Sequence, residues 1–167
     1  YYCLTWKRST ETTSFTYYND LTAEEGLKLI RADDVSAWPD YMIGPFLWDG
    51  VHPMTGYRLK VLDSSLGDDK GWEYDTQYDV TIDYSADGTI GVEVRRVEDA
   101  AIIWQTTVVD PAPLGAGRVG FFNMGQSGVD WSRYFLPADP ANLLHADPSR
   151  RVAVRFPSDG LSLAGHV

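Results

Sequence analysis

Gln77-Tyr78-Asp79-Val80-Thr81-Ile82-Asp83-Tyr84, then Ser85-Ala86-Asp87-Gly88, then Thr89-Ile90-Gly91-Val92-Glu93-Val94: the reading of this stretch decides the fold. Tyr78, Val80, Ile82 and Tyr84 alternate with Gln77, Asp79, Thr81 and Asp83. Successive side chains of a strand point to opposite faces, so a period of two gathers the apolar set on one face and the polar set on the other. Ser85 to Gly88 has turn composition, and Ile90, Val92 and Val94 resume the alternation. The stretch predicts an antiparallel hairpin with one apolar face, which must be covered by a second layer.

Outward from the hairpin the pattern persists. Tyr57, Leu59 and Val61 alternate with Arg58 and Lys60. Ala101 to Val109 is a β-branched run that ends at Asp110-Pro111-Ala112-Pro113, where two prolines stop pairing. Arg118 to Met124 and Val129 to Leu136 read as two more strands around a Gly125-Gln126-Ser127-Gly128 turn. Helix signals are few. Thr22-Ala23-Glu24-Glu25 fits a capping box, but Gly26 follows at once and Leu27-Lys28-Leu29 alternates, so a short turn and then a strand are predicted. Regular short strands separated by Gly, Pro and Asp turns predict an all-β fold, an antiparallel β-sandwich. The sandwich is assigned to residues 1–136. Residues 137–167, punctuated by Pro137, Pro140, Pro148 and Pro157, read as a linker with a late hairpin or as strands that close an edge.

Composition narrows the function. The 167 residues carry 14 Lys and Arg against 24 Asp and Glu, a formal net charge of −10. A nucleic-acid binder would show a basic stripe, and an anionic membrane surface would repel this chain, so neither partner is expected. Aromatic residues make up 13%, which argues against disorder. No apolar run approaches the roughly 20 residues that span a bilayer, so membrane insertion is not expected. The chain opens directly on Tyr1-Tyr2-Cys3-Leu4 with no leader-like stretch, which reads as a domain entered partway.

Motifs with chemical potential fare poorly in this context. Gly115-Ala116-Gly117-Arg118-Val119-Gly120 matches G-x-G-x-x-G, but a dinucleotide loop must leave a strand and open a helix, whereas Phe121-Phe122 continues as strand. Gly125-Gln126-Ser127-Gly128 is half a nucleophile elbow with Val129 where the last glycine belongs. Asp79 and Asp83 share a face at roughly 13 Å, beyond the separations of about 5 Å and about 6.5–9.5 Å used by glycosidases. Asp79, Asp83 and Glu93 read as a solvated face, and Glu73 and Asp75 as flanking a turn. Cys3 is the single cysteine, so it reads as a small buried hydrophobe or as the partner of a cysteine elsewhere.

Two sets of residues are carried forward as candidate sites. Asp63-Ser64-Ser65-Leu66-Gly67-Asp68-Asp69 offers hard oxygens on a turn, so Asp63, Asp68 and Asp69 are the predicted calcium ligands. A plain polar turn is the other reading, since the EF-hand spacing is absent. Asp33-Asp34 is a poorer acidic pair. Of the six tryptophans, at least four are expected to fill the core. Trp38, beside Pro39, and Trp48, beside Asp49-Gly50, are the exposed candidates, making Trp38, Trp48 and Asp49 the predicted ligand-binding residues.

Five segments taken in order resemble the C-terminal, L-type-lectin-like domain of thrombospondins. Tyr1 to Arg8 is similar to that family's aromatic strand ending in Trp-Lys, and Gly26-Leu27-Lys28-Leu29-Ile30 to its Gly-Leu strand. Phe46-Leu47-Trp48-Asp49-Gly50 is similar to its Leu-Trp and short polar turn. Gly71-Trp72-Glu73-Tyr74-Asp75-Thr76-Gln77-Tyr78 resembles the stretch in which Gly-Trp leads into a Tyr-bearing strand. Gly117-Arg118-Val119-Gly120-Phe121-Phe122 resembles a Gly-Arg strand near the domain's end. The resemblance covers about residues 1–136. It implies a concanavalin-like jelly roll, an extracellular or cell-surface location, calcium dependence, and adhesive binding to matrix, receptor or glycan without catalysis.

The family's strands upstream of Trp-Lys are not matched, so the sandwich reads as incomplete at its N-terminus. A strand-complementing segment or chain is expected to complete it, without which the isolated chain is expected to aggregate or oligomerise. The expected function is a non-catalytic adhesion or assembly module of a larger secreted or surface protein. Its partner is a protein or glycan at the cell surface or in the matrix, with calcium as the expected cofactor. A carbohydrate-binding module using exposed aromatics is the alternative, and a sandwich glycosidase or lyase the third.

Overall fold

The computed structural model describes residues 1–15, 18–33, 59–115, 129–132 and 151–155. No helix occurs among them, and every strand pairing is antiparallel. The fold is all-β, in the class of antiparallel sandwiches. Two compact units divide at Trp72–Glu73.

The first unit, Tyr1–Trp72, holds β1 (Tyr2–Lys7), β2 (Glu11–Phe15), β3 (Tyr18–Ala23), β4 (Gly26–Ala32) and β5 (Leu59–Leu66). Three strands form a sheet in the order β1-β4-β5, and β2 pairs with β3 separately. The two ladders follow one another along a single long hairpin. β1 and β4 pair from Tyr2↔Arg31 to Lys7↔Gly26, and β2 and β3 continue from Glu11↔Ala23. Between them Arg8, Ser9 and Thr10 oppose Glu24 and Glu25, and the Thr10 hydroxyl accepts the Glu25 N–H at 3.1 Å. The alternation rule misses β2 and β3, because Glu11-Thr12-Thr13-Ser14-Phe15 has no apolar period. Threonine's β-branched shape suits the strand instead, and the Thr12 and Thr22 hydroxyls bond across the pair at 3.0 Å.

β4 is the central strand, and it is buried on both faces. Leu27, Leu29, Ile30 and Ala32 are at most 1% exposed, and Lys28 is also buried. Its partner β5 is longer than the sequence suggests. Asp63 to Leu66, expected to belong to a flexible acidic turn, pair with β4 as Leu29↔Asp63 through Gly26↔Leu66. A polar strand is stable here because β5 is an edge of the described sheet and Ser64 faces solvent, while its ladder bonds go to β4. The register steps from Leu29↔Asp63 to Ile30↔Val61, leaving Leu62 as the extra residue of a β-bulge.

The second unit, Glu73–Val167, contains β6 (Gln77–Tyr84), β7 (Thr89–Arg96), β8 (Ile102–Val109), β9 (Asp130–Ser132) and β10 (Arg151–Arg155). They form a sheet in the order β8-β7-β6-β10-β9. The predicted hairpin is β6 and β7, registered from Tyr78↔Arg96 to Tyr84↔Ile90. Its turn closes with Ser85 N–H donating to Thr89 O and Gly88 N–H to Ser85 O, both at 2.9 Å. Gly88 is required there, because φ is +88° and a Cβ would lie 2.1 Å from Asp110 O.

The apolar face is buried as predicted except at Ile82, with Tyr84 at its end half-buried. Tyr78, Ile90, Val92 and Val94 are at most 2% exposed and Val80 is 9% exposed, but Ile82 is 42% exposed. The register explains the exception. β10 begins with Arg151 opposite Thr81, so Ile82 lies past its end and has only β7 beside it among the described strands. β10 also places part of residues 137–167 inside the sheet, next to β6. β8 ends at Val109 just before Pro111, as its prolines predict.

Candidate functional site: an anchored acidic turn

The turn that follows β5 carries two of the predicted ligands, and contacts from the rest of its unit hold it in place. Gly67, at φ +119°, ends the strand and donates its N–H to Glu25 O at 3.1 Å. Lys70 N–H then returns to Gly67 O at 3.2 Å, closing a four-residue turn. Asp69 occupies the third position with φ +68°, a left-handed conformation that Asp tolerates better than most side chains. Asp68 and Asp69 are both exposed.

Three contacts from two distant segments, the end of β1 and the residue before β4, clamp the base of the turn. The Trp6 indole Nε1–H donates to Lys70 O at 2.8 Å. Glu25 Oε1 accepts the Gly71 N–H at 3.0 Å. The Arg8 guanidinium lies over the Trp72 ring, 5.9 Å from its centroid, and Trp72 is only 3% exposed. Gly71 is packed against the end of β1 so closely that a Cβ would lie 1.9 Å from Arg8 O. At the start of β4, a Cβ on Gly26 would lie 2.2 Å from Ser65 O. The Trp-Lys, Gly-Leu and Gly-Trp segments, separate in sequence, therefore converge on one frame, and the frame displays Asp68-Asp69.

The other predicted site residues are placed as follows. Asp63 sits on β5 rather than in the turn, and its Oδ1 accepts the Ser64 N–H at 2.8 Å. Among the described residues no three His, Cys, Asp or Glu side chains form a group that could hold a metal ion. Trp38, Trp48 and Asp49 lie outside the described residues, as do the Gly125–Gly128 turn and all of the G-x-G-x-x-G segment after Gly115. Asp33 forms an ion pair with Arg31 at 2.9 Å; Asp34 is outside the described part. Of the tryptophans expected in the core, Trp72 and Trp104 are buried and Trp6 is half-buried.

Among the groups capable of chemistry, most of the described ones are engaged or neutralised. Burial pushes the Cys3 thiol up to about 11. It is therefore protonated at neutral pH and a poor nucleophile. Glu93 is paired with Arg95 at 2.8 Å and lies 3.4 Å from the Gln105 amide. Asp83 keeps one buried oxygen without a hydrogen-bond partner. A network the sequence reading missed joins Glu73, Arg96 and Asp99: Arg96 Nη1 reaches Glu73 at 3.1 Å, and Nη2 reaches Asp99 at 2.9 Å. Its hydrogen bonds from Arg96 and the Ala101 N–H hold the Asp99 carboxyl below the ordinary range. Only the Arg96–Asp99 spacing was visible in sequence, since Glu73 is brought in by the β6–β7 register.

Among the described residues no helix is long and apolar enough to cross a membrane. Searches of the curated proteins and of the solved structures gave no match. The profile of the thrombospondin C-terminal region does match, over residues 1–137. That span contains β1 through β9 and every residue of the frame around Gly71. The chain therefore belongs to the thrombospondin C-terminal region family, whose domains are extracellular in type and non-enzymatic.

Proposed function

We propose that the chain is a non-catalytic binding module of a secreted or surface protein, acting outside the cell in adhesion or in building an extracellular assembly. The family membership over residues 1–137 carries the reading. The anchored turn supports it physically. A loop held at its base by hydrogen bonds and a buried tryptophan loses little freedom when a partner docks, so less binding free energy is spent on ordering it. Two exposed carboxylates on such a frame suit a basic protein surface at the matrix or cell membrane.

Calcium is a separate component of the proposal. The ion takes six to eight oxygens, and Asp63, Asp68 and Asp69 do not gather around one point on their own. A calcium site using them needs further oxygens, such as turn carbonyls.

The test is binding of the chain to immobilised matrix proteins, to cell surfaces and to a glycan array, each with and without chelator. Protein or cell-surface binding, weakened by Asp68→Asn with Asp69→Asn at unchanged melting temperature, is the expected result. Loss with chelator assigns calcium to the interaction, and binding indifferent to chelator removes calcium from the reading. Binding to glycans alone transfers the function to a carbohydrate-binding module, with Trp38, Trp48 and Asp49 as its candidate residues. Turnover of a polysaccharide substrate overturns the non-catalytic reading.

A further inference from the structure

β8, Ile102-Ile103-Trp104-Gln105-Thr106-Thr107-Val108-Val109, is the one described strand of ten without a charged residue. It is also an edge: among the described residues it closes one side of the five-stranded sheet. Edges are normally blunted with Lys or Pro, because an open ladder invites another strand. This one is bare in a chain whose net charge is −10. Its two ends carry Ile102 and Val109, 49% and 66% exposed, the two most exposed large hydrophobic side chains among the described residues.

The direction of the backbone groups follows from the ladder to β7. Asp110 N–H donates to Gly88 O at 2.9 Å, so Asp110 faces β7. In an antiparallel pair alternate residues direct both backbone groups to the same side, so Val109, Thr107 and Gln105 turn theirs away from β7. The side chains alternate as well: Trp104 is buried, Thr106 and Val108 are half-buried, and Gln105, Thr107 and Val109 are exposed.

We infer that β8 pairs antiparallel with β8 of a second copy of this chain, about a two-fold axis at Thr106. Only an axis through a residue keeps inner faces opposite inner faces. An axis between Gln105 and Thr106 would set buried Trp104 against exposed Thr107. With the axis at Thr106, Gln105 lies opposite the second copy's Thr107, and both present free-edge N–H and C=O groups to each other. Trp104 lies opposite Val108 on the inner face. Val109 lies opposite the second copy's Ile103, one residue from Ile102, so the exposed apolar ends of the strand lie side by side. Centring on Gln105 instead would carry Val109 past the end of the strand.

Charge favours a second copy as the occupant. Two identical chains of net −10 repel, and β8 is the one described strand on which no register of self-pairing can set like charges opposite each other. Both ends limit the ladder. The register step from Val94↔Trp104 to Arg95↔Ile102 makes Ile103 a bulge at one end, and Pro111 and Pro113 follow the other. The two-fold uses both edges at once, so the pairing closes as a dimer rather than a filament.

Sedimentation velocity of the full 167-residue chain over a wide concentration range tests this, with hydrogen exchange of the Gln105, Thr107 and Val109 amides in parallel. The expected result is a reversible monomer–dimer equilibrium in which those amides gain protection as concentration rises. Gln105→Lys with Thr107→Lys places lysine opposite lysine twice and is expected to weaken the dimer at least about tenfold. Gln105→Lys with Thr107→Glu places opposite charges at the same two positions and is expected to restore it to within about threefold. Gln105 and Thr107 are exposed, and an unchanged melt of the monomer keeps the fold out of the comparison. A chain that stays monomeric up to about millimolar concentration overturns the inference, as does a dimer that tolerates the double lysine. Protection of β8 by an added foreign peptide, with no self-association, also overturns it and assigns the edge to strand addition by another protein.

Discussion

Replacing Gly71 with alanine tests the frame on which the acidic turn rests. The added Cβ would lie 1.9 Å from Arg8 O and 2.6 Å from Arg8 C, both backbone atoms that cannot swing aside. Real Cβ atoms stay beyond 3.0 Å, so the turn and the end of β1 must separate by at least the difference from 1.9 Å, about 1.1 Å. A displacement of that size is enough to break the Trp6–Lys70 bond, now 2.8 Å, and the Gly71–Glu25 bond, now 3.0 Å. Overpacking of a tight site costs about 1–3 kcal/mol, and each lost hydrogen bond about 0.5–1.5 kcal/mol. The sum is about 2–6 kcal/mol. At about 2–4 °C per kcal/mol for a chain of this length, the melting temperature should fall by about 4–24 °C. Urea denaturation followed by tryptophan fluorescence, with thermal melts by circular dichroism, measures both. Gly67→Ala is the internal control. Nothing lies within 4 Å of its Cβ, so only the strain of φ +119° acts, at about 1–2 kcal/mol. If Gly71→Ala costs less than Gly67→Ala, the close approach of turn and strand is wrong.

Three further outcomes are expected. Gly91 lies in the interior of β7 without positive φ, and its Cβ would meet only Asp83 Cβ at 3.7 Å, so Gly91→Ala should stabilise by about 0.4–1 kcal/mol, read as a higher urea midpoint. The Cys3 thiol sits near 11 in the folded chain against 9.0 ordinarily, so between those values the unfolded chain releases a proton that the folded chain keeps. Stability should therefore decline as pH rises from about 9 to about 11; Cys3→Ala should flatten that limb, and thiol reagents should react slowly at pH 8. The Asp99 carboxyl is held below 3.8, chiefly by its hydrogen bond from Arg96, so its contribution is present above that pH and lost as pH falls through the lowered value. Asp99→Asn should flatten the acid limb of the stability profile, and an unchanged acid limb would show that Arg96 does not hold this carboxyl in solution.

Two-residue alternation established the β6–β7 hairpin, with Tyr78, Val80, Ile90, Val92 and Val94 facing inward, and the prolines after Asp110 marked the end of β8. These are local matters: a strand's own period says which side chains share a face, and a missing N–H says where pairing stops. The Trp-Lys, Gly-Leu and Gly-Trp segments were also legible as family marks. That they touch was not, because the contact of Gly71 with Arg8 joins residues far apart in the chain and leaves no periodic trace. The same limit hid the exposure of Ile82, the burial of β4 on both faces, and the extension of β5 through Asp63. Each depends on which strand lies alongside and where that neighbour ends. Asp63, Asp68 and Asp69 look equivalent in the sequence, yet pairing with β4 draws the first into a ladder and leaves the other two on a turn. Side-chain period is a property of one strand, whereas edge, centre and register belong to pairs of strands, and only the folded chain decides them.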